Sequence, residues 1–406
     1  MIPYGKQSID EDDIAAVVAA LKSDYLTTGP EVETFEREFA DMVGAKHAIA
    51  VCNATAALHL AILVSNIGSG DRVVTSPNTF LASANCAAFA GAIPDFCDID
   101  PVSYNLDPAT LESDWRKDTK AVVAVDYAGQ PANMPEIARI ARKHGAVVIE
   151  DACHGTGGSF FHEGKKWKLG GHPWADITTF SFHPVKTMTT GEGGMLVTNN
   201  DKFASRAKLL RSHGMIRNAA DFKIFREECE SINHKNSTLY EYGPWAYEIH
   251  ELGYNYRITD LQCALGRSQL KKIDAFINRR LEIAEHYNGA LSGLSWLTTP
   301  RISDWLSKEN CSVISWHLYT VQIDFAKLGM TRSKVMKDLC EQGIGTQVLY
   351  IPVHLQPWYQ KTYGYATGKC PVAESYYTRT LSLPLYPEMK DEEVATVVRT
   401  LKALAS

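Results

Sequence analysis

Ser181-Phe182-His183-Pro184-Val185-Lys186, followed shortly by Thr189-Thr190-Gly191-Glu192-Gly193-Gly194, sets one lysine between a strand-like run and a glycine-rich turn. That position suits a reacting amine better than a solubilising charge. Asp151 stands 35 residues before the lysine, at the end of Ala146-Val147-Val148-Ile149-Glu150-Asp151. This short apolar, β-branched run ending in acid predicts a buried parallel strand that delivers Asp151 at its carboxyl end. An acid there and a lysine past the next strand are what a pyridoxal phosphate (PLP) enzyme requires. The carboxylate keeps a pyridine nitrogen protonated, so that the ring acts as an electron sink, while the amine holds the cofactor and moves protons.

Working outward, strand-like and helix-like segments alternate. Ile9 to Lys22 and Val32 to Val43 carry apolar residues at helical spacing, and acids crowd the first turn of the former. His47 to Val51 reads as a strand leading through Asn53-Ala54-Thr55-Ala56 into an alanine-rich helix. Similar units recur at Arg72 to Ser76 with Phe80 to Ala90, Ile93 to Asp98, Ala121 to Val125 with Met134 to His144, Ile177 to Phe182, and Met195 to Thr198 with Ala204 to Arg211. This alternation predicts an α/β fold with a doubly wound, mostly parallel sheet, whose ligands bind beyond the carboxyl ends of the strands. After about residue 254 the pattern changes to a long helix, Asp260 to His286, a strand at Trp316 to Ile323 and a helix at Arg332 to Gln342. The expected division is a large domain over 1–253 and a smaller C-terminal α+β domain over 254–406. A polar, charge-rich segment between Arg217 and Tyr247 reads as a lid, a partner-contact loop or variable surface.

The bulk properties narrow the function classes. A chain of 406 residues with 45% hydrophobic and 22% charged content can bury a large core. A net charge of −6, with Lys and Arg scattered, gives no footprint for nucleic acid or an anionic membrane surface. No apolar run reaches the ~18 residues that span a bilayer, and Met1-Ile2-Pro3-Tyr4-Gly5-Lys6 has no export pattern, so a cytoplasmic location is expected. The nine cysteines form no C-x-x-C pair or metal-like cluster, and no metal centre is expected. Cys153, beside Asp151, reads as small apolar packing in preference to a nucleophile.

The turn at Asn53-Ala54-Thr55-Ala56 opens a helix after a strand, so free N–H groups and the helix dipole converge on one point, a ready anion site. Thr55 and Ser181 add hydroxyls there. Taken alone, such a threonine is more often a helix cap. Phe80, past another strand, can lie against an aromatic ring, although a lone Phe is more often core. His154 either reaches the cofactor's phenolic oxygen, positions Asp151, or is a satisfied buried histidine.

Together, Asp151-Ala152-Cys153-His154, Ser181 through Lys186, Gly191-Glu192-Gly193-Gly194 and Gly253-Tyr254-Asn255-Tyr256-Arg257-Ile258-Thr259-Asp260-Leu261-Gln262 resemble the DegT/DnrJ/StrS family of PLP-dependent sugar aminotransferases over nearly the whole chain. The resemblance implies fold type I, like aspartate aminotransferase. Pro3 to Ile9, Ile351 to Pro357 and Leu381 to Pro387 are most similar to the family's pseudaminic acid branch, whose members aminate C4 of a UDP-linked 4-keto-6-deoxy-N-acetylhexosamine using glutamate. Carried over by position, the resemblance implies that Lys186 anchors the cofactor and shuttles protons, and that Asp151 faces the pyridine nitrogen. Thr55, Ala56 and Ser181 would bind the phosphate, and Phe80 would flank the ring. His154 stands where relatives often have Gln or His. Asn255 and Arg257 lie in a segment that in relatives reaches a neighbouring subunit's phosphate, implying a homodimer with shared sites. The nucleotide sugar would meet Tyr4, Lys6, Thr28, His317, Tyr319 and His354. Two departures bear on substrate: Asn53-Ala54-Thr55 replaces the usual Ser-Gly-Thr, and Asp221 to Tyr240 is longer than usual. Other readings are transfer to a dTDP- or GDP-linked keto sugar, or a noncatalytic PLP-fold binding protein. A dehydratase of the family would carry His in place of Lys186.

Overall fold

The structure is a computed structural model that describes residues 1–223, 245–307 and 313–405, so most of the polar segment between Arg217 and Tyr247 lies outside the described residues. In chain order the first strands are β1 (His47–Val51), β2 (Arg72–Thr75), β3 (Ile93–Phe96), β4 (Thr119–Val125), β5 (Val147–Asp151), the hairpin β6 (Ser159–His162) and β7 (Lys165–Lys168), β8 (Ile177–Ser181) and β9 (Gly194–Thr198). Seven of these form one sheet in the order β1-β9-β8-β5-β4-β2-β3. β9 runs antiparallel to both neighbours, and the remaining ladders are parallel. The expected α/β, mostly parallel architecture is therefore present, with Asp151 and Ser181 at the carboxyl ends of adjacent strands.

Burial explains why these runs are strands. In β8 and β9 every residue is buried, and β5 is buried from its second residue onward, as strands covered by helices on both faces must be, even though β8 carries Thr178, Thr179 and Ser181. Glu150 is the one charge in the middle of that packing, and it is fully used. Its carboxylate accepts from His172 Nε2 at 2.8 Å, Thr178 Oγ1 at 2.9 Å and the Gly170 amide at 3.1 Å. A buried acid is tolerated when its hydrogen bonds are complete, and this one fixes β5 against β8.

Beyond β10 (Met215–Ile216) and β11 (Glu248–Ile249), the C-terminal part builds an antiparallel sheet from β12 (Leu297–Thr298), β13 (Tyr319–Ile323) and β14 (Thr380–Leu383). Tyr319, Val321 and Ile323 alternate into a second core shared with Ile283, Tyr287 and Leu381. Ile2 packs against that core as well.

Two sequence expectations are corrected. The helix expected from Asp260 to His286 is two helices, Asp260–Leu270 and Ile273–Leu291. Lys272, at the break, pairs with Asp10 and Asp13 at 2.7 Å each. The first helix packs against Glu11–Leu21 and Pro30–Val43 while the second enters the C-terminal core, so the chain must turn between them. The strand expected from Trp316 begins only at Tyr319, because the amides of His317 and Leu318 are donated to the Ala128 carbonyl at 3.0 and 3.4 Å.

Asp260 shows how the Gly253–Gln262 segment earns its residues. Helix Pro30–Val43 starts after Gly29, which has no side chain to cap it. The fully buried Asp260 carboxylate supplies that cap from across the chain, accepting from the Gly29 amide at 2.8 Å and the Glu31 amide at 3.1 Å. Asp260→Ala is expected to cost about 1–3 kcal/mol, since it strands two amide donors. A urea midpoint equal to that of the parent protein would refute this role.

Candidate active site

The carboxyl ends of the parallel strands open into a cavity of about 530 Å³ that contains Asp151, Lys186, Thr55, Phe80, His154 and Ser181 among its lining residues. Asp151 is 4% exposed. One carboxylate oxygen accepts from Ser83 Oγ at 2.6 Å and the other from the Cys153 amide at 3.2 Å. Because the Ser83 proton is spent on Asp151, the hydroxyl of Thr79, 2.7 Å from Ser83, completes the relay as donor. The Cys153 thiol is pushed well above its ordinary range by burial and then by the Asp151 charge, which suits packing and not nucleophilic attack.

Lys186 is carried by a stapled loop. Phe182 N bonds Gly193 O at 2.9 Å, Thr190 N bonds Phe182 O at 3.0 Å and Lys186 N bonds His183 O at 2.9 Å. Burial lowers the Lys186 pKa, against the opposing pull of Cys153 and Asp151. Its Nζ lies 3.4 Å from His317 Nε2. His317 is itself held neutral, first by burial and then by the charges of Lys186, His154 and Arg280. The ring of His154 lies 4.5 Å from that of His317. His154 Nδ1 accepts from the Ala128 amide at 3.2 Å, which leaves the proton on Nε2, 3.2 Å from the Tyr350 hydroxyl. His154 thus makes no hydrogen bond to Asp151, and its pKa is also driven well down by burial.

Helix Ala54–Val64 begins at the cavity wall with Asn53 as its cap. Asn53 Oδ1 accepts from the Ala56 amide at 2.9 Å. The Ala56 amide, expected to meet a phosphate, thus has Asn53 as its partner, and the first-turn amides without one among the described residues are those of Ala54 and Thr55. Gly194, at the start of β9, permits this turn. A Cβ there would lie 2.6 Å from both Ala54 N and Asn53 C. The buried, doubly bonded Asp151, the free helix start and the cradle that only glycine at position 194 allows together fit a PLP group anchored by Lys186.

The remaining expected residues separate cleanly. Tyr4 and His317 line the cavity, and burial raises the Tyr4 hydroxyl pKa. Phe80 is 57% exposed at its wall. Tyr319 and His354 do not face it. Tyr319 is fully buried with its hydroxyl donated to Asn288 at 2.7 Å, and His354 is fully buried with Nε2 2.8 Å from Glu374. Lys6 pairs with Glu388 at 2.6 Å, and Thr28 is an exposed turn residue with φ of 56°. Asn255 is exposed and Arg257 half-buried, and neither lines the cavity of its own chain.

Sequence reasoning missed Ser83, Tyr350 and Arg280. Arg280 is fully buried and its guanidinium donates to the carbonyls of Leu385 at 3.0 Å, Trp316 at 3.3 Å, His317 at 3.4 Å and Lys186 at 3.4 Å. It ties both members of the Lys186–His317 contact to the C-terminal core. Burial without a carboxylate pulls its pKa down to about 10.

Two predictions follow from this geometry. Gly194→Ala forces the Asn53–Thr55 turn away, at a cost of about 1–3 kcal/mol for overpacking, so PLP affinity should fall at least tenfold in a fluorescence titration; unaltered affinity would remove the cradle from the account. The second concerns pH. His154 and His317 have folded pKa values below the unfolded 6.5, so between those values the unfolded chain binds more protons and stability rises with pH. Their contribution is complete above pH 6.5 and is lost as pH falls below it. Urea midpoints of the apoprotein should drop below that point, and the His154→Gln/His317→Gln variant should show a flatter slope; equal slopes would exclude these histidines as the source.

Comparison with known proteins agrees with the site. The sequence profile of the DegT/DnrJ/EryC1/StrS aminotransferase family matches residues 7–402. The spore coat polysaccharide biosynthesis protein SpsC of Bacillus subtilis is 41% identical over 402 residues, covering 99% of this chain and 96% of that protein. Among solved structures, Helicobacter pylori PseC, an aminotransferase involved in the biosynthesis of pseudoaminic acid, superposes with a TM-score of 0.84 at 29% identity, covering 99% of this chain and 98% of its own. The PLP form of the putative sugar aminotransferase Spr1654 from Streptococcus pneumoniae gives 0.85 at 26% identity, covering 100% and 98%. The chain belongs to the DegT/DnrJ/EryC1/StrS aminotransferase family and is a PLP-dependent sugar aminotransferase.

Proposed function

We propose that this aminotransferase moves an amino group from L-glutamate to C4 of a UDP-linked 4-keto-6-deoxy-N-acetylhexosamine, giving a UDP-4-amino sugar for a pseudaminic acid-type surface glycan. The observation that carries the reaction type is the half-buried Lys186, its amine 3.4 Å from a neutral His317, in the same cavity as the hydrogen-bonded Asp151. The substrate rests on the likeness to PseC and on the sequence segments that resemble the pseudaminic acid branch.

PLP, when bound, supplies a conjugated cation that stabilises negative charge on a carbon that has lost a proton. The chain's residues do the rest. Asp151, with one oxygen held by Ser83 and the other by the Cys153 amide, presents an anion to the ring nitrogen. Lys186, whose charged form burial disfavours, would take a proton from the amino donor's α carbon and return it to the carbon on the far side of the nitrogen, and with the sugar it would run the same transfer in reverse. His317 is the one hydrogen-bond partner of Nζ among the described residues and holds the amine in the cavity between transfers. The Ala54 and Thr55 amides meet the cofactor phosphate, with Ser181 beside them.

The working unit in this reading is a homodimer in the cytoplasm. Leu21, Tyr25 and Leu26 are 54%, 56% and 48% exposed, an apolar surface suited to a second copy, and Arg257 makes no ion pair within its own chain among the described residues. The likeness to SpsC supports a second reading, amination of another nucleotide-linked keto sugar (dTDP or GDP) for a surface polysaccharide.

Incubation of the holoenzyme with glutamate and each 4-keto nucleotide sugar, read by mass, tests the assignment. The UDP-linked N-acetyl substrate should gain an amine with kcat/KM at least tenfold above the dTDP and GDP substrates, and Lys186→Ala and Lys186→Arg should abolish turnover. Faster turnover of a dTDP or GDP substrate would transfer the assignment to the second reading, and transamination by either lysine variant would end both.

A further inference from the structure

Outside the Lys186 cavity, a second cleft of about 400 Å³ lies where β12 and β13 meet the Tyr104 turn and helix Pro371–Arg379. Its polar lining is made of donors. Arg301, Arg379, Gln322, Tyr104 and Ser375 face it, and among the described residues no Asp or Glu lines it, although the whole chain carries a net charge of −6. The nearby Asp100 is tied into its own turn, where one carboxylate oxygen accepts from the amides of Val102 at 3.0 Å and Ser103 at 2.6 Å and from Ser103 Oγ at 2.8 Å; its charge reaches Tyr104 more weakly than those of Arg301 and Arg379.

Neither Arg301 nor Arg379 makes an ion pair or a side-chain hydrogen bond among the described residues. Both guanidiniums favour the anionic form of Tyr104 against the upward pull of burial, so both act on one spot. The second observation is Gln322. Along β13, Tyr319, Val321 and Ile323 point into the C-terminal core, so Gln322 points to the opposite face and lines the cleft. It is 7% exposed, and its amide nitrogen has no hydrogen-bond partner among the described residues. Buried amide donors are nearly always paired, so an orphan aimed into a cleft with two free guanidiniums marks a place for an acceptor. The Tyr104 hydroxyl is likewise unbonded among the described residues.

We propose that this cleft is a second binding site for a phosphate-bearing small molecule, with Arg301 and Arg379 gripping the phosphate oxygens and Gln322 and Tyr104 donating to them. Guanidinium forks match the spacing of phosphate oxygens, and an acid-free lining removes the like-charge repulsion that would expel the anion. The site goes beyond the aminotransferase reaction and shares no side chain with the Lys186 cavity.

Titration calorimetry of the PLP-loaded protein in a phosphate-free buffer of low ionic strength tests this, because bound cofactor fills the phosphate cup of the active cavity. Pyrophosphate should bind at one equivalent per chain. Arg301→Ala/Arg379→Ala should weaken it at least tenfold and Gln322→Ala about threefold, with urea midpoints unchanged because the arginine side chains bond to nothing else. Parallel titrations with inorganic phosphate and UDP separate the sources. Phosphate and pyrophosphate binding as tightly as UDP identify an inorganic anion, whereas UDP binding that is tenfold tighter and sensitive to the arginine substitutions identifies a nucleotide. No heat with pyrophosphate, or binding that survives loss of both arginines, overturns the proposal.

Discussion

A carboxylate at the end of β5 and an amine on the loop that follows β8, facing one cavity, are the constraint around which this molecule is built. Asp151 keeps only 4% of its surface, and the hydrogen bonds it would make to water are replaced by Ser83 and the Cys153 amide. Lys186 is treated differently. Among the described residues no carboxylate is hydrogen-bonded to its amine, and its partner is an imidazole held neutral chiefly by burial. Dehydration disfavours any charge; at Asp151 fixed donors offset that cost, whereas at Lys186 burial pulls the pKa down, toward the neutral amine a proton shuttle needs. The parallel sheet makes both possible, since its carboxyl ends open on one rim where helix starts and loops converge.

The C-terminal half closes that rim by reaching back over it. The Ala128 carbonyl takes the amides of His317 and Leu318, which stops the strand from starting at Trp316 and turns His317 toward Lys186. Arg280 then fixes the arrangement from beneath through four carbonyls, two of them belonging to Lys186 and His317. A buried guanidinium with no counter-charge is costly. Its gain is positional: one planar group sets the heights of two main-chain segments that lie 131 residues apart.

What the sequence revealed depended on how local the physics was. β5 was legible because a short β-branched run, Val147-Val148-Ile149, marks a strand buried on both faces, so the acid at its end stands out. The phosphate turn was legible as a strand running into a helix start, but not which amide stays free. That depends on Asn53 spending its oxygen on Ala56, a choice made by one rotamer. Tyr319 and His354 looked like ligand contacts because their residue types allow it. Their direction is set by strand alternation into a core and by Glu374, which no single-position reading shows. The split of the Asp260–His286 helix at Lys272 was hidden for a similar reason, since its cause is two acids on the first helix more than 250 residues away. Ser83 reaches Asp151 across 68 residues and Arg280 reaches Lys186 across 94, so their local sequence carries no signal of either contact.

The division of labour in the cavity has a consequence for how substrate choice varies. Asp151 and the Asn53–Thr55 turn sit on strand ends or a helix start, and Lys186 sits on a stapled loop, each fixed by buried ladders and glycine-dependent contacts. Tyr4, Leu349 and Tyr350 come from the amino-terminal arm and a C-terminal loop that pack on those elements without belonging to the sheet. Substitutions in the first group disturb folding and cofactor together, whereas those in the second reshape the wall against which a sugar would rest. A chain can therefore keep the same buried amine, carboxylate and phosphate cup while moving from one keto sugar to another, because the forces that hold the reacting groups are not the forces that select what they react with.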